Sequence, residues 1–195
     1  MKRTIFKFAV VVGAVAILIT AVCWPTGSLS GGSKAPEFQA IANWINSRPL
    51  TMEQLRGRGV LIDFWTYTCV NCIRTMPYLK EWHDRYADKG LVIVGVHSPE
   101  FEFEKDYSNV LRATQNNGIT WPVALDNDFT TWNNFSNRVW PAKYLIDHAG
   151  VLRYRHLGEG QYAETEENIR ELLKEAGADL DGDNFPLPMD QPLDP

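Results

Sequence analysis

Two cysteines separated by two residues, Cys69-Val70-Asn71-Cys72, follow closely on the apolar run Val60-Leu61-Ile62-Asp63-Phe64-Trp65. Beyond them Ile73, Met76, Leu79, Trp82 and Tyr86 recur at helical spacing, so a helix over Ile73 to Tyr86 is predicted, with a kink at Pro77. Cys69 then falls at the helix start, where unpaired N–H groups and the helix dipole favour a thiolate over a thiol. A thiolate beside a second cysteine within disulfide reach is the minimum machinery of thiol–disulfide exchange. By position Cys69 is the nucleophile, and Cys72, one turn inward, is the thiol that resolves the mixed disulfide. Arg74 is near enough along the helix to add positive potential, or is simply a solvated surface cation.

Other uses of such a pair fit less well. Zinc needs four ligands at recognisable spacing, but Cys23 lies in an apolar leader and His83, His97, His148 and His156 are scattered. A purely structural disulfide across this short loop would staple little chain. Asp63 is the third residue of interest. A carboxylate inside an apolar strand is costly unless it has a partner or a task. Burial would raise its pKa toward the range of a general base, while hydrogen bonding to neighbouring backbone is the plainer alternative.

The elements that must position these groups can be read around them. Val60 to Trp65 and Leu91 to Val96 are nearly continuous apolar runs, as expected of central parallel strands covered on both faces. Phe103 to Asn116 is predicted as a helix and Trp121 to Leu125 as a short strand. Ala142 to Ile146 and Val151 to Leu157, joined by Asp147-His148-Ala149-Gly150, read as a hairpin. Glu164 to Ala176 is an amphipathic helix ending at Gly177.

The chain divides into four parts. Residues 1–24 carry Lys2, Arg3 and Lys7 ahead of an uncharged stretch from Phe8 to Trp24. At ~1.5 Å per residue that stretch covers about 25 Å, so it reads as a transmembrane anchor, with a cleaved signal segment as the rival. The basic end stays inside and the body is exported. Residues 25–36, rich in Gly, Ser and Pro, form a flexible linker; 37–178 form one domain; 179–195 form an acidic, Pro-rich tail. Asp179-x-Asp181-x-Asp183 departs from a calcium loop at its sixth and twelfth positions, Asn184 and Asp190. With 24 acidic residues against 19 Lys and Arg, the balance argues against nucleic acid as a partner.

Asp63-Phe64-Trp65, the cysteine pair six residues beyond Asp63, and Pro77 five residues after Cys72 together resemble the thioredoxin pattern. Val70-Asn71 and the insertion after the second central strand resemble the membrane-tethered TlpA-like branch. Within it, Trp65 to Arg74, Gly95 to Phe101 and Trp140-Pro141-Ala142-Lys143-Tyr144 are similar to the thioredoxin-like domain of DipZ-type proteins. The resemblance spans about Ala40 to Ala176. It implies an α/β thioredoxin-like fold, a mixed central sheet flanked by helices, with an N-terminal extension and a central insertion, preceded here by the transmembrane helix.

The same resemblance assigns roles. Asp63 would lie beneath the cysteines and take the proton of the resolving thiol. Glu100 would face the pair from just past the second central strand, unless it belongs with Glu102 and Glu104 to an exposed acidic loop. Pro141 would be a cis proline across from the cysteines, and Trp140, Trp65 and Tyr67 would offer apolar surface to dock a substrate polypeptide. The implied protein is a membrane-bound protein-disulfide oxidoreductase on the exported side, without cofactor or metal. It would act on disulfide-containing exported proteins and be recharged by a membrane thiol electron donor of the DsbD/CcdA type. Two alternatives remain: a thiol peroxidase, for which Thr66 has the right spacing but lacks its preceding proline, and a copper-delivery module using His97.

Overall fold

The computed structural model describes residues 32–181. Its elements are β1 (Trp44–Ile45), β2 (Gly59–Trp65), α1 (Val70–Tyr86), β3 (Leu91–His97), α2 (Tyr107–Asn116), β4 (Val123–Leu125), α3 (Thr130–Asn134), β5 (Ala142–Ile146), β6 (Leu152–Leu157) and α4 (Tyr162–Glu175). The strands form one six-stranded sheet in the order β1-β4-β3-β2-β5-β6. β2 is parallel to β3 and antiparallel to β5, so the sheet is mixed, as expected.

Every residue of β2 is buried, which is why its sequence shows no polar alternation. Alternation survives in the packing. Leu61 and Trp65 enter a core with Met76, Leu79 and Trp82 of α1 and Ile169 and Leu173 of α4. Val60, Ile62 and Phe64 enter a second core on the opposite face with Trp132, Phe135 and Tyr144. Asp63, in phase with Leu61 and Trp65, therefore points to the α1 face. Gly95, its neighbour on β3, leaves room for the Trp65 ring: a Cβ there would lie 3.0 Å from Trp65 Nε1.

The helix that carries the cysteines is tied to α4 by one carboxylate. Glu166 is buried and accepts hydrogen bonds from Trp82 Nε1 at 3.1 Å, Arg85 Nη1 at 3.0 Å and the Tyr86 hydroxyl at 2.6 Å. At the far end of the sheet Asp147 Oδ1 accepts from the N–H groups of Ala149 and Val151, closing the β5–β6 turn over Gly150, whose φ is 72°.

Several expectations need correction. The helix expected over Phe103 to Asn116 is two pieces: a 3-10 turn at Glu102–Lys105, then α2, whose N-cap Asp106 accepts from Asn109 N–H. β1 and α3 were not expected. The helix expected to run to Tyr86 through Pro77 is α1, which begins earlier, at Val70. The linker does not stay free to residue 36, because Lys34 bridges to Val151, Ala35 N–H bonds to Gly150 and Ala35 is buried. The domain likewise runs past 178, since Leu180 packs into the α1-side core. The expected anchor of residues 1–24, most of the expected linker and the tail beyond Asp181 lie outside the described residues. Among those described, no helix is long and apolar enough to cross a membrane.

Replacing Glu166 with Ala removes the acceptor of two buried donors, Trp82 Nε1 and the Tyr86 hydroxyl, and leaves Arg85 with Glu81. Glu166→Ala should lower stability by about 3–5 kcal/mol in urea unfolding. The acid–base behaviour of the distant Cys69 thiol in the folded fraction should stay as it was.

Candidate active site

Cys69 is the N-cap of α1, in extended backbone conformation, and its Sγ accepts a hydrogen bond from Cys72 N–H at 3.3 Å. The sulfur thus does what a Ser or Asp side chain does at an ordinary helix start. No acidic residue occupies the first turn of α1, so nothing there opposes a thiolate. Cys69 is half-buried, Cys72 fully buried, and both are free thiols.

This placement drives the two thiols in opposite directions. A hydrogen bond from the Cys72 thiol, helped by the N–H groups of Cys72 and Asn71, pulls the Cys69 pKa down to about 7, against partial burial and the charge of Glu100. Burial pushes the Cys72 thiol far up, and its contact with Cys69 and the charge of Asp63 push the same way. Cys69 is the ionisable, reachable sulfur, and Cys72 is held protonated behind it. The Arg74 guanidinium faces Glu159 at 3.8 Å.

Beneath Cys72, Asp63 is only 1% exposed. Burial raises its pKa to about 6, with Lys143 opposing. The group is poised close to neutrality, as a base for a thiol must be. Lys143 is a residue that the sequence reading passed over. It sits inside the apolar strand β5, opposite Asp63 in register, with Nζ 3.8 Å from Asp63 Oδ1. The argument that singled out Asp63, a charge within an apolar strand, applies equally to Lys143.

Glu100 is exposed, and the carboxylate that turns inward is Glu104, four residues on. Glu104 accepts from the Thr68 hydroxyl at 2.6 Å and from Phe101 N–H at 3.0 Å. Burial alone would raise its pKa; these bonds and those from Thr66 and Glu100 N–H hold it below the ordinary value. Glu104 thereby fastens the acidic loop to the turn that delivers Cys69. Glu100 nonetheless lies close enough to raise the Cys69 pKa.

The Trp140–Pro141 bond is cis, and Pro141 is buried. Ala142 pairs with Phe64, which puts Pro141 level with the end of β2, where the chain leaves for the cysteine loop. Trp140 is half-buried; its Nε1 donates to Ser98 carbonyl at 3.0 Å, and its ring packs 4.4 Å from that of Trp132. Tyr67 is also half-buried and stacks on His97 at 5.6 Å. Trp65 is different. It is 1% exposed and belongs to the core, so it offers no docking surface. The exposed apolar groups around the loop are instead Val70 and Ile73 on α1 and Phe101 and Phe103 on the acidic loop. Phe103 lies 6.4 Å from Tyr67, ring to ring.

His97 is buried, with Nε2 3.3 Å from the Thr66 hydroxyl, and burial lowers its pKa to about 4. Thr66, the residue spaced for a peroxidase, thus turns to His97 and Glu104 rather than to solvent. Among the described residues no three His, Cys, Asp or Glu side chains converge to hold a metal ion.

Only a thiolate alkylates fast, so the rate at Cys69 should rise with pH through a midpoint of about 7 and then level off. Mass spectrometry after short iodoacetamide pulses reads both sites, and Cys72 should stay unlabelled across that range. Labelling of Cys72 at the rate of Cys69 would reverse the assigned roles.

Residues 32–155 match the model of the AhpC/TSA family. Protein DipZ of Mycobacterium tuberculosis is 47% identical over 145 residues, 73% of this chain but only 21% of DipZ. Thiol-disulfide oxidoreductase YkuV of Bacillus subtilis is 33% identical over 141 residues, covering 72% of this chain and 94% of YkuV. Among solved structures, a thioredoxin-like protein in its oxidised form superimposes with a TM-score of 0.67 at 32% identity, covering 74% of this chain and 97% of that one. The α/β thioredoxin-like fold is therefore established, and the chain belongs to the AhpC/TSA family as a thioredoxin-like protein of the TlpA/DipZ kind.

Proposed function

We propose that this chain is a protein-disulfide oxidoreductase that works as a reductase outside the cytoplasm, through the Cys69–Cys72 pair. The observation that carries the reading is the opposed ionisation of the two thiols, one near neutrality at a helix start and one held protonated over a buried carboxylate. Similarity to a protein named as a thiol-disulfide oxidoreductase over 94% of its length supports it.

The chemistry follows from the geometry. The Cys69 thiolate attacks one sulfur of a substrate disulfide; the other sulfur leaves as a thiolate, and a mixed disulfide remains. Cys72 then gives its proton to Asp63 and attacks Cys69 Sγ. The second substrate sulfur departs, and the pair is left as a disulfide. Two electrons have passed to the substrate, and a dithiol donor returns them by the same exchange in reverse. A donor of the DsbD/CcdA type would serve a domain anchored by residues 1–24. The substrates would be exported proteins, since disulfides persist in that compartment. Tyr67 and Trp140, with the exposed Val70, Ile73, Phe101 and Phe103, would receive the polypeptide beside its disulfide.

Cys72→Ser removes the resolving thiol and should trap substrates on Cys69. Non-reducing gels of intact cells should show adducts that vanish with dithiothreitol and are absent from the Cys69→Ser, Cys72→Ser double variant. Adducts made up of cytoplasmic proteins would reject the exported location. No adducts, with rapid consumption of peroxide or tight copper binding by the wild type, would favour one of the two alternatives instead. In insulin reduction Asp63→Asn should slow turnover by about 100-fold or more, since a general base typically contributes about 100- to 10,000-fold. Glu100→Gln, at an exposed position, should cost much less.

A further inference from the structure

The exchange chemistry above uses Asp63 but leaves a second buried charge on the same face of the sheet without a task. The Lys143 side chain is 0% exposed, and its Nζ lies 3.8 Å from Asp63 Oδ1. Neither Nζ nor that oxygen has a hydrogen-bond partner, so the contact is a bare ion pair in the protein interior. Such a pair rarely improves on apolar side chains of similar volume, and an ammonium has three donors to satisfy. Stability therefore gives a poor account of why a lysine stands here among Ala142, Tyr144, Leu145 and Ile146, all buried.

Strand alternation places Lys143 on the face of Leu145, whose side chain belongs to the α1-side core together with Cys72. Cys72, Asp63 and Lys143 therefore share one buried compartment beneath the helix start. The nearest charged or titratable side chains on β6 and α1 are already engaged. His156, the register partner of Lys143 on β6, donates from Nε2 to the Glu159 carbonyl at 2.9 Å. The Glu159 carboxylate faces Arg74 at 3.8 Å. On the β3 side, the neighbour of Asp63 is the uncharged Gly95.

We propose that Lys143 is a positioning residue for the resolving half of disulfide exchange, its ammonium keeping Asp63 ionised as the base and offsetting the negative charge that develops on Cys72 Sγ. The proposal rests on the exchange reading and deepens it. In the step concerned, the Cys72 proton passes to Asp63 and the Cys72 sulfur attacks Cys69 Sγ. The bond from Cys69 to the substrate sulfur breaks, and its electron pair leaves on that sulfur. Lys143 stays protonated throughout and exchanges no proton. The electrostatics agree with this arrangement. Burial drives the Lys143 pKa below its ordinary value, and the charges of Asp63, Cys72 and Glu159 oppose that fall in part.

The test isolates that step in the full-length chain. Reaction with dithionitrobenzoate loads Cys69 as a mixed disulfide, and attack by Cys72 releases thionitrobenzoate, which is followed by stopped flow across the pH range. In the wild type, release should follow the ionisation of Asp63. In Lys143→Met the acid limb should move up by about one to three pH units, the effect of removing an opposite charge at this distance. Release at about pH 6 should then fall at least about fivefold, while the alkylation midpoint of Cys69 stays in place. In an Asp63→Asn background Lys143→Met should shift no limb. An unmoved limb, or an equal loss at every pH, would overturn the proposal and leave Lys143 as packing. A second arm needs no variant: the ζ-nitrogen NMR signal of Lys143 in the wild type should be that of an ammonium at neutral pH. A neutral amine there would also overturn it. Failure of the wild type to reduce any protein disulfide would instead count against the exchange reading, since both arms above still report on Lys143.

Discussion

A carboxylate held at the centre of a fully covered sheet is the constraint around which the site is arranged. β2 is buried along its whole length, so Asp63 is shielded from bulk water. What the fold supplies instead is a lysine across one strand gap and a thiol above. The carboxyl is left close to neutrality, where it can take up and release a proton at ordinary pH. The start of α1 completes the arrangement. One helical turn separates a sulfur that accepts the N-terminal hydrogen bond from one buried over Asp63, and that single turn creates the difference in acidity on which ordered exchange depends.

The walls of the site are fixed by two further buried carboxylates. Glu104 holds the turn before Cys69 through Thr68, and Asp126 holds the far wall. Asp126 accepts from Thr131 and Trp132 N–H at the start of α3 and from the Ser98 hydroxyl, while Ser98 carbonyl receives Trp140 Nε1. Neither carboxylate takes part in the proposed exchange. They satisfy backbone groups in loops that would otherwise be loose, and so hold Tyr67 and Trp140 as fixed surfaces beside a reactive sulfur.

Much of this was legible in the sequence, for physical reasons that also explain the failures. β2 and β3 announced themselves because strands covered on both faces must be apolar throughout, and Asp63 stood out against that background. The same continuity hid the orientation of Trp65: without polar alternation, nothing along the strand says which side chains face a core and which a surface. Glu100 and Glu104 could not be told apart because the 3-10 turn that begins at Glu102 and contains Glu104 resets the helical phase on which such a choice depends. β1 has two residues and α3 five, too short for any period to register. Lys143 was visible as a charge in an apolar strand, but its meaning required the register that sets it against Asp63.

The reductive direction of the proposed exchange rests on the ionisation of Cys69, whose pKa of about 7 is that of a moderate rather than an extreme thiolate. A strongly oxidising pair depends on a far more stabilised thiolate, which makes its reduced form the favoured one. The equilibrium reduction potential of the Cys69–Cys72 pair, measured against dithiothreitol and glutathione buffers, tests this most directly. The account predicts a value in the reducing range, about −220 mV or lower. A value near −120 mV, about that of a strong oxidant, would contradict it and turn the proposed reductase into an oxidase.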